Sequence, residues 1–168
     1  LGNAHHDFTI APDGRVYALT QEFRFNTYPY RAQLKPPRLD DFAVILSPEG
    51  KEIKKVSIMD ALISSPYAHM VDFAPYYSKD DVLHTNSIKL IDEETAKVFP
   101  FGKAGDVLLS FRDLGVLAVL DMDAEKIVWA TRGPWLGQHD PDILPNGDIL
   151  LFDNQGPLAK PDAGMSRV

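Results

Sequence analysis

His6-Asp7-Phe8-Thr9-Ile10-Ala11-Pro12-Asp13-Gly14 and His139-Asp140-Pro141-Asp142-Ile143-Leu144-Pro145-Asn146-Gly147 align without a gap. Each stretch ends in a Pro-Asx-Gly turn, and the residues after the glycine read as a returning strand, Arg15–Leu19 in one and Ile149–Phe152 in the other. A third copy opens at His84-Thr85-Asn86-Ser87-Ile88, with the same separation of His and Ile, and resumes after an inserted loop at Gly105-Asp106-Val107-Leu108. The first two copies in chain order are each followed by a further hairpin. One pairs Phe42–Leu46 with the segment after Pro48-Glu49-Gly50; the other joins Val116–Leu120 to Lys126–Ala130 through the polar turn at 121–125.

The unit is therefore about four antiparallel strands, repeated at a spacing typical of β-propeller blades once insertions are allowed for. The expected fold class is all-β: a β-propeller of four-stranded antiparallel blades, here about two and a half blades of a larger, six-bladed ring. The expected division is a blade over 1–58, a loop or lid insertion over 59–81, a blade over 82–132 and the first half of a blade over 133–168. Two and a half blades cannot close a ring. The chain also starts at Leu1 without an initiator Met or signal peptide. It is expected to be part of a longer propeller, or to be completed by partner segments. The one helix expected is short, Ile58 to Ser64, in an irregular stretch reaching Asp81.

Composition narrows the function. With 17 basic and 24 acidic residues, the net charge of −7 argues against nucleic acid as a partner, since phosphate binding needs clustered Lys and Arg. The chain holds no cysteine, which excludes disulfides, thiolate metal sites and cysteine nucleophiles. No apolar run is long enough to span a bilayer. Arg24, Arg31, Lys35 and Arg38 read as a mildly basic, solvated loop. There is no Gly-rich phosphate loop and no Gly-x-Ser-x-Gly elbow.

In a propeller the innermost strand of each blade lines the central channel. The repeat puts His6, His84 and His139 at equivalent points of three such strands. Asn86 lies two residues beyond His84 and, by strand alternation, projects to the same face. The seventh residue after the turn glycine is Gln21, Arg112 and Asn154 in the three copies. Arg112 thereby returns to the level of His84. Three imidazoles, an amide and a guanidinium converge on one channel mouth.

These pieces resemble the bacterial arylsulfate sulfotransferases and their wider arylsulfotransferase relatives, which are propellers. The matching segments are His5-His6-Asp7, Asp81–Ile88, Leu109–Asp113, Gly137–Asp140 and Phe152–Asn154, in the family's order. The resemblance implies sulfuryl transfer from an aryl sulfate donor to a phenolic acceptor, without a nucleotide sulfate donor and without a cofactor. It implies that His139 is transiently sulfurylated. His84, Asn86 and Arg112 would bind the sulfuryl oxygens and handle protons, with His6, or less favourably His5, as the fourth member. A periplasmic or exported location follows from the same resemblance. The chain departs from the enterobacterial pattern in Asp140-Pro141 after His139 and in the long insert between Ile88 and Gly105, which mark a divergent branch.

The residue types suit the chemistry independently. A sulfate monoester is anionic and repels an anionic nucleophile, whereas imidazole, with an ordinary pKa near ~6.5, is mostly neutral at pH 7. A guanidinium stays charged and its planar fork matches the oxygens as charge shifts. A phenolate leaving group is helped by a proton, which His84 or His6 can supply.

Other readings of the same residues exist. His5-His6-Asp7 with His84 or His139 has ligand types for zinc, iron or manganese, but Arg112 at the mouth opposes a cation. A propeller can also be a non-catalytic module that binds a ligand or partner at this mouth. The acidic turn at 121–125 starts like a calcium loop but lacks its glycine and final glutamate, so it reads as a polar hairpin turn. Trp135 either stacks on an aryl group or packs between blades. Tyr67, Phe73, Tyr76 and Tyr77, with Pro66 and Pro75, form a lid or, more simply, a packed loop. His69 has no role.

Overall fold

The computed structural model describes residues 3–74, 80–155 and 166–168. Strands β1 (Asn3–Ile10), β2 (Val16–Arg24), β3 (Arg38–Leu46) and β4 (Glu52–Ser57) form an antiparallel sheet in chain order. Helix α1 (Ile58–Ile63) follows at once, its first turn capped by Ser57 Oγ accepting from the Asp60 N–H at 3.2 Å. A 3-10 turn covers Ala68–Phe73. A second four-stranded antiparallel sheet holds β5 (Thr85–Leu90), β6 (Val107–Phe111), β7 (Val116–Asp121) and β8 (Lys126–Arg132). Between β5 and β6 the insert forms α2 (Glu93–Val98), capped by Asp92. Strands β9 (Gln138–Ile143) and β10 (Ile149–Asp153) make a two-stranded sheet, and Asp153 also bridges antiparallel to Arg167. Pro75, Tyr76 and Tyr77 of the aromatic loop lie outside the described residues. No helix among the described residues is long and apolar enough to cross a membrane.

The chain is thus all-β, with three antiparallel sheets and few helices. Its core explains why the second sheet is so apolar. Alternate residues of β6 and β7 point to opposite sides. Val107, Leu109, Phe111, Val116, Ala118 and Leu120 join the first sheet and α1 in one core. Leu108, Leu117 and Val119 join Ile91 and Phe99 of the insert in a second core, against which Trp135, Ile143, Ile149 and Leu151 pack. A sheet covered on both faces reads as a continuous hydrophobic run, and β7 is buried along its whole length. The insert is clamped onto the third sheet at Gly147, where φ is +84° and a Cβ would stand 2.4 Å from the Val98 carbonyl oxygen.

Polar groups stitch the three sheets together, each contact engaging the first strand of one of them. The Asp7 carboxylate accepts from Ser87 Oγ at 3.1 Å and from the Ile88 N–H at 3.0 Å. Asp41 in β3 accepts the Thr85 N–H at 2.7 Å. Gln138 Nε2 lies within hydrogen-bond reach of Ser110 Oγ at 3.2 Å and of the carbonyls of Phe111 and Val116 at 3.0 and 3.2 Å. β5 is an edge strand of its own sheet, and these carboxylates occupy amides that its ladder leaves free.

One side chain of the basic loop differs from expectation. Arg38 is not solvated: it is 0% exposed. It donates through Nε and Nη2 to the two oxygens of Asp40, at 2.7 and 2.9 Å, and through Nη1 to the carbonyls of Asn26 and Leu34. Its guanidinium lies 4.7 Å over the Tyr28 ring. The loop between β2 and β3 is organised around this buried cation.

Candidate functional site

Each first strand carries an irregularity at its histidine. Register shifts fall between Ala4 and Phe8 in β1, between Thr85 and Ser87 in β5, and between Leu150 and Phe152, opposite the His139 end of β9. His6 and His84 have φ of +54° and +47°, a conformation that is uncommon for a side-chain-bearing residue. In the third sheet the left-handed residue is Asp140, one place later. Bulges of this kind re-aim side chains at sheet edges. They also break the two-residue alternation by which Asn86 would follow His84. Asn86 is the extra residue of its bulge, and its Nδ2 donates to the Gln138 carbonyl at 2.8 Å while Oδ1 is buried without a partner among the described residues.

His6 is the centre of the cluster. Its ring stands edge-on to His84 with centroids 4.8 Å apart, and to His5 at 5.0 Å. Burial, and then the neighbourhood of His84, Arg112 and His139, hold His6 below the ordinary histidine value. Arg112 follows β6 directly. Its main-chain N–H donates to the His84 carbonyl at 3.3 Å, and its Nε donates to Asp113 at 2.8 Å. Among the described residues its Nη groups make no hydrogen bond. A guanidinium aligned by one carboxylate and with two free nitrogens is equipped to grip a tetrahedral anion.

Two of the histidines are oriented through Nδ1. His84 Nδ1 stands 2.6 Å from Asp81 Oδ2. His139 Nδ1 stands 2.9 Å from the Gly137 carbonyl and 3.1 Å from the Asn154 side-chain amide. The Gly137 carbonyl only accepts and Asn154 Nδ2 only donates, so the two make opposite demands on Nδ1; the shorter contact puts the proton on Nδ1, with the Asn154 amide turned to present its oxygen, and Nε2 keeps its lone pair in the neutral ring.

His5 sits behind His6 rather than beside His84. Its side chain is 11% exposed, its Nδ1 meets His6 Nδ1 at 2.7 Å, and its Nε2 lies 3.5 Å from Asp41. Burial holds His5 below the ordinary histidine value and pushes the Asp41 carboxyl up. Trp135 is engaged in packing: its indole N–H donates to the Gly115 carbonyl at 3.0 Å and its ring covers Gly133. Of its two readings, these contacts fit the packing one. His69 is exposed on the 3-10 turn.

Three acidic or amide side chains of the site received no role from the sequence, namely Asp81, Asp41 and Asn154. Asp81 and Asn154 stand inside the matching segments, and Asn154 shares its repeat position with Arg112 and Gln21. That position was the available signal, because Gln21 also reaches the site by donating to Asp41 at 3.0 Å. Asp41 lies on a third strand, far from any histidine in sequence, and nothing local marks it. Among the described residues no group of three or more His, Cys, Asp or Glu is arranged to hold a metal ion.

Three antiparallel sheets, with His5, His6, His84 and Arg112 gathered where the first two meet, make up an all-β chain. The chain belongs to the arylsulfotransferase (ASST) family, whose family model matches residues 3–168. No curated protein and no solved structure matches it. Family membership supports an arylsulfotransferase-like activity.

Proposed function

We propose that this chain carries the sulfuryl-transfer site of a β-propeller, with the two four-stranded sheets as blades and the β9–β10 hairpin as the start of a third. Exposed apolar side chains on the two outer flanks, Phe8 and Ile10 on β1 and Leu150 and Phe152 on β10, support further blades on both sides. The donor is an aryl sulfate and the acceptor a phenol. His139 Nε2 attacks sulfur, the S–O bond to the aryl group breaks, and the leaving phenolate takes a proton from His84, which Asp81 orients. The acceptor phenol then gives its proton to the same imidazole, its oxygen attacks the sulfohistidine, and the N–S bond breaks. Arg112 grips the sulfuryl oxygens. Asn86 commits one amide N–H to Gln138 and keeps a second for them. His6, a neutral imidazole that adds no opposing charge, adjoins His84 and shares with it the handling of protons and the binding of the sulfuryl group. An exported or periplasmic location goes with this reading, by resemblance.

The observation that carries the proposal is the contact of His139 Nδ1 with the Gly137 carbonyl, which reserves Nε2 for attack. The test is nitrophenol release from p-nitrophenyl sulfate by the intact protein, with and without phenol, in the presence of a chelator. Release should require phenol and survive chelation. His139→Ala should lower it by at least about 10³-fold, whereas His69→Ala should leave it unchanged. Equal activity in the two variants would remove His139 from the mechanism. Release that needs no phenol and fails with the chelator would indicate a metal-dependent hydrolase.

A further inference from the structure

Two ring nitrogens 2.7 Å apart must share a proton, so of His5 Nδ1 and His6 Nδ1 one donates and the other accepts. Which one does so is decided one layer deeper. His5 Nε2 is buried without a hydrogen-bond partner among the described residues, and the polar group it faces is Asp41 Oδ1 at 3.5 Å. A carboxylate only accepts. The Asp41 carboxylate is itself fixed, with the Thr85 N–H on Oδ2 at 2.7 Å and Gln21 Nε2 on Oδ1 at 3.0 Å. The proton of a neutral His5 is therefore drawn to Nε2, on the Asp41 side. Its Nδ1 is bare and accepts from His6 Nδ1–H, and His6 keeps a bare Nε2.

We propose that Asp41 and His5 are positioning residues that set the tautomer of His6, leaving its Nε2 as the proton-accepting atom of the ring that adjoins His84. The inference rests on the sulfuryl-transfer reading only for its effect on turnover. The tautomer itself is a property of the resting protein.

Asp41→Asn makes the test directional. The Thr85 N–H claims the asparagine oxygen, the Gln21 amide turns to offer its oxygen in place of Nε2, and the asparagine nitrogen then faces both Gln21 and His5. A donor at that place needs a bare His5 Nε2, so the His5 proton moves to Nδ1, His6 Nδ1 becomes the acceptor, and the His6 proton moves to Nε2. Long-range proton–nitrogen correlation spectra of the intact protein, labelled with ¹⁵N-histidine, read both states. The expected result is Nδ1–H at His6 in the wild type and Nε2–H in Asp41→Asn. Turnover of p-nitrophenyl sulfate should fall on the order of 10²-fold in kcat, with KM unchanged. His5→Phe keeps the ring volume and removes the link, and should leave His6 as a mixture of tautomers, so the test survives if Asp41→Asn does not fold. A His6 that stays Nδ1–H in either variant overturns the proposal. A tautomer that inverts with full turnover supports the positioning role and instead removes His6 from the transfer reaction.

Discussion

His5 and His6 tie the charge state of the cluster to folding. Both are held below the ordinary histidine value, burial being the largest cause in each. Between those lowered values and the unfolded value near ~6.5 the unfolded chain binds more protons, so stability rises with pH across the window. The contribution is fully present above ~6.5 and is lost as pH falls through the folded values. Asp40 and Asp41, raised by burial, act oppositely: their contribution is present below the unfolded carboxyl range and is lost as pH rises. Thermal denaturation at about pH 5 and about pH 7 separates the two. The change in Tm on going to the higher pH should be less favourable in His6→Gln than in the wild type. The identity of the cluster residues was legible because each sits at a repeat position, as His6, His84 and His139 do. Their orientation was not, since it depends on Asp41, Asp81 and the Gly137 carbonyl, partners that a linear repeat does not mark.

At the scale of single elements, the strands were legible wherever a turn glycine follows an apolar alternation, as at Gly14 and Gly147. α2 was not. Its six residues, Glu93–Val98, bury no side chain fully, and it owes its start to the Asp92 cap and its seat to the close approach of Val98 to Gly147. The bulges in the first strands were also hidden, because one extra residue alters pairing and leaves composition unchanged. Arg38 shows the same limit in a loop: a basic residue among others reads as solvated until Asp40, Asn26 and Leu34 close around it. Removing it would strand the buried Asp40 carboxylate. Arg38→Leu should cost about 3–5 kcal/mol in chemical denaturation, while Lys35→Leu, on an exposed position of the same loop, should cost well under half of that. Equal losses would mean that the cation acts through its stem alone.

Across the whole molecule, side chains rather than a shared ladder hold the sheets to one another. The Thr85 and Ile88 amides belong to β5 but are bound by Asp41 and Asp7 of the first sheet. Ordinary ladder amides of β5 are released only when their own sheet frays. These two are released whenever the first and second sheets part, even if both stay folded. Their hydrogen-exchange rates are therefore a gauge of sheet separation, read against the ladder amides beside them as an internal clock. Asp7→Ala should accelerate exchange at Ile88 by about tenfold or more, as expected for losing a charge-assisted bond worth about 1.5–3 kcal/mol, and leave β6 and β7 protected. Because His84 immediately precedes Thr85, the same opening that frees that amide also draws His84 away from His6. The breathing of the seam and the assembly of the site are one motion, and the exchange rate at Thr85 sets an upper bound on how long the cluster stays complete.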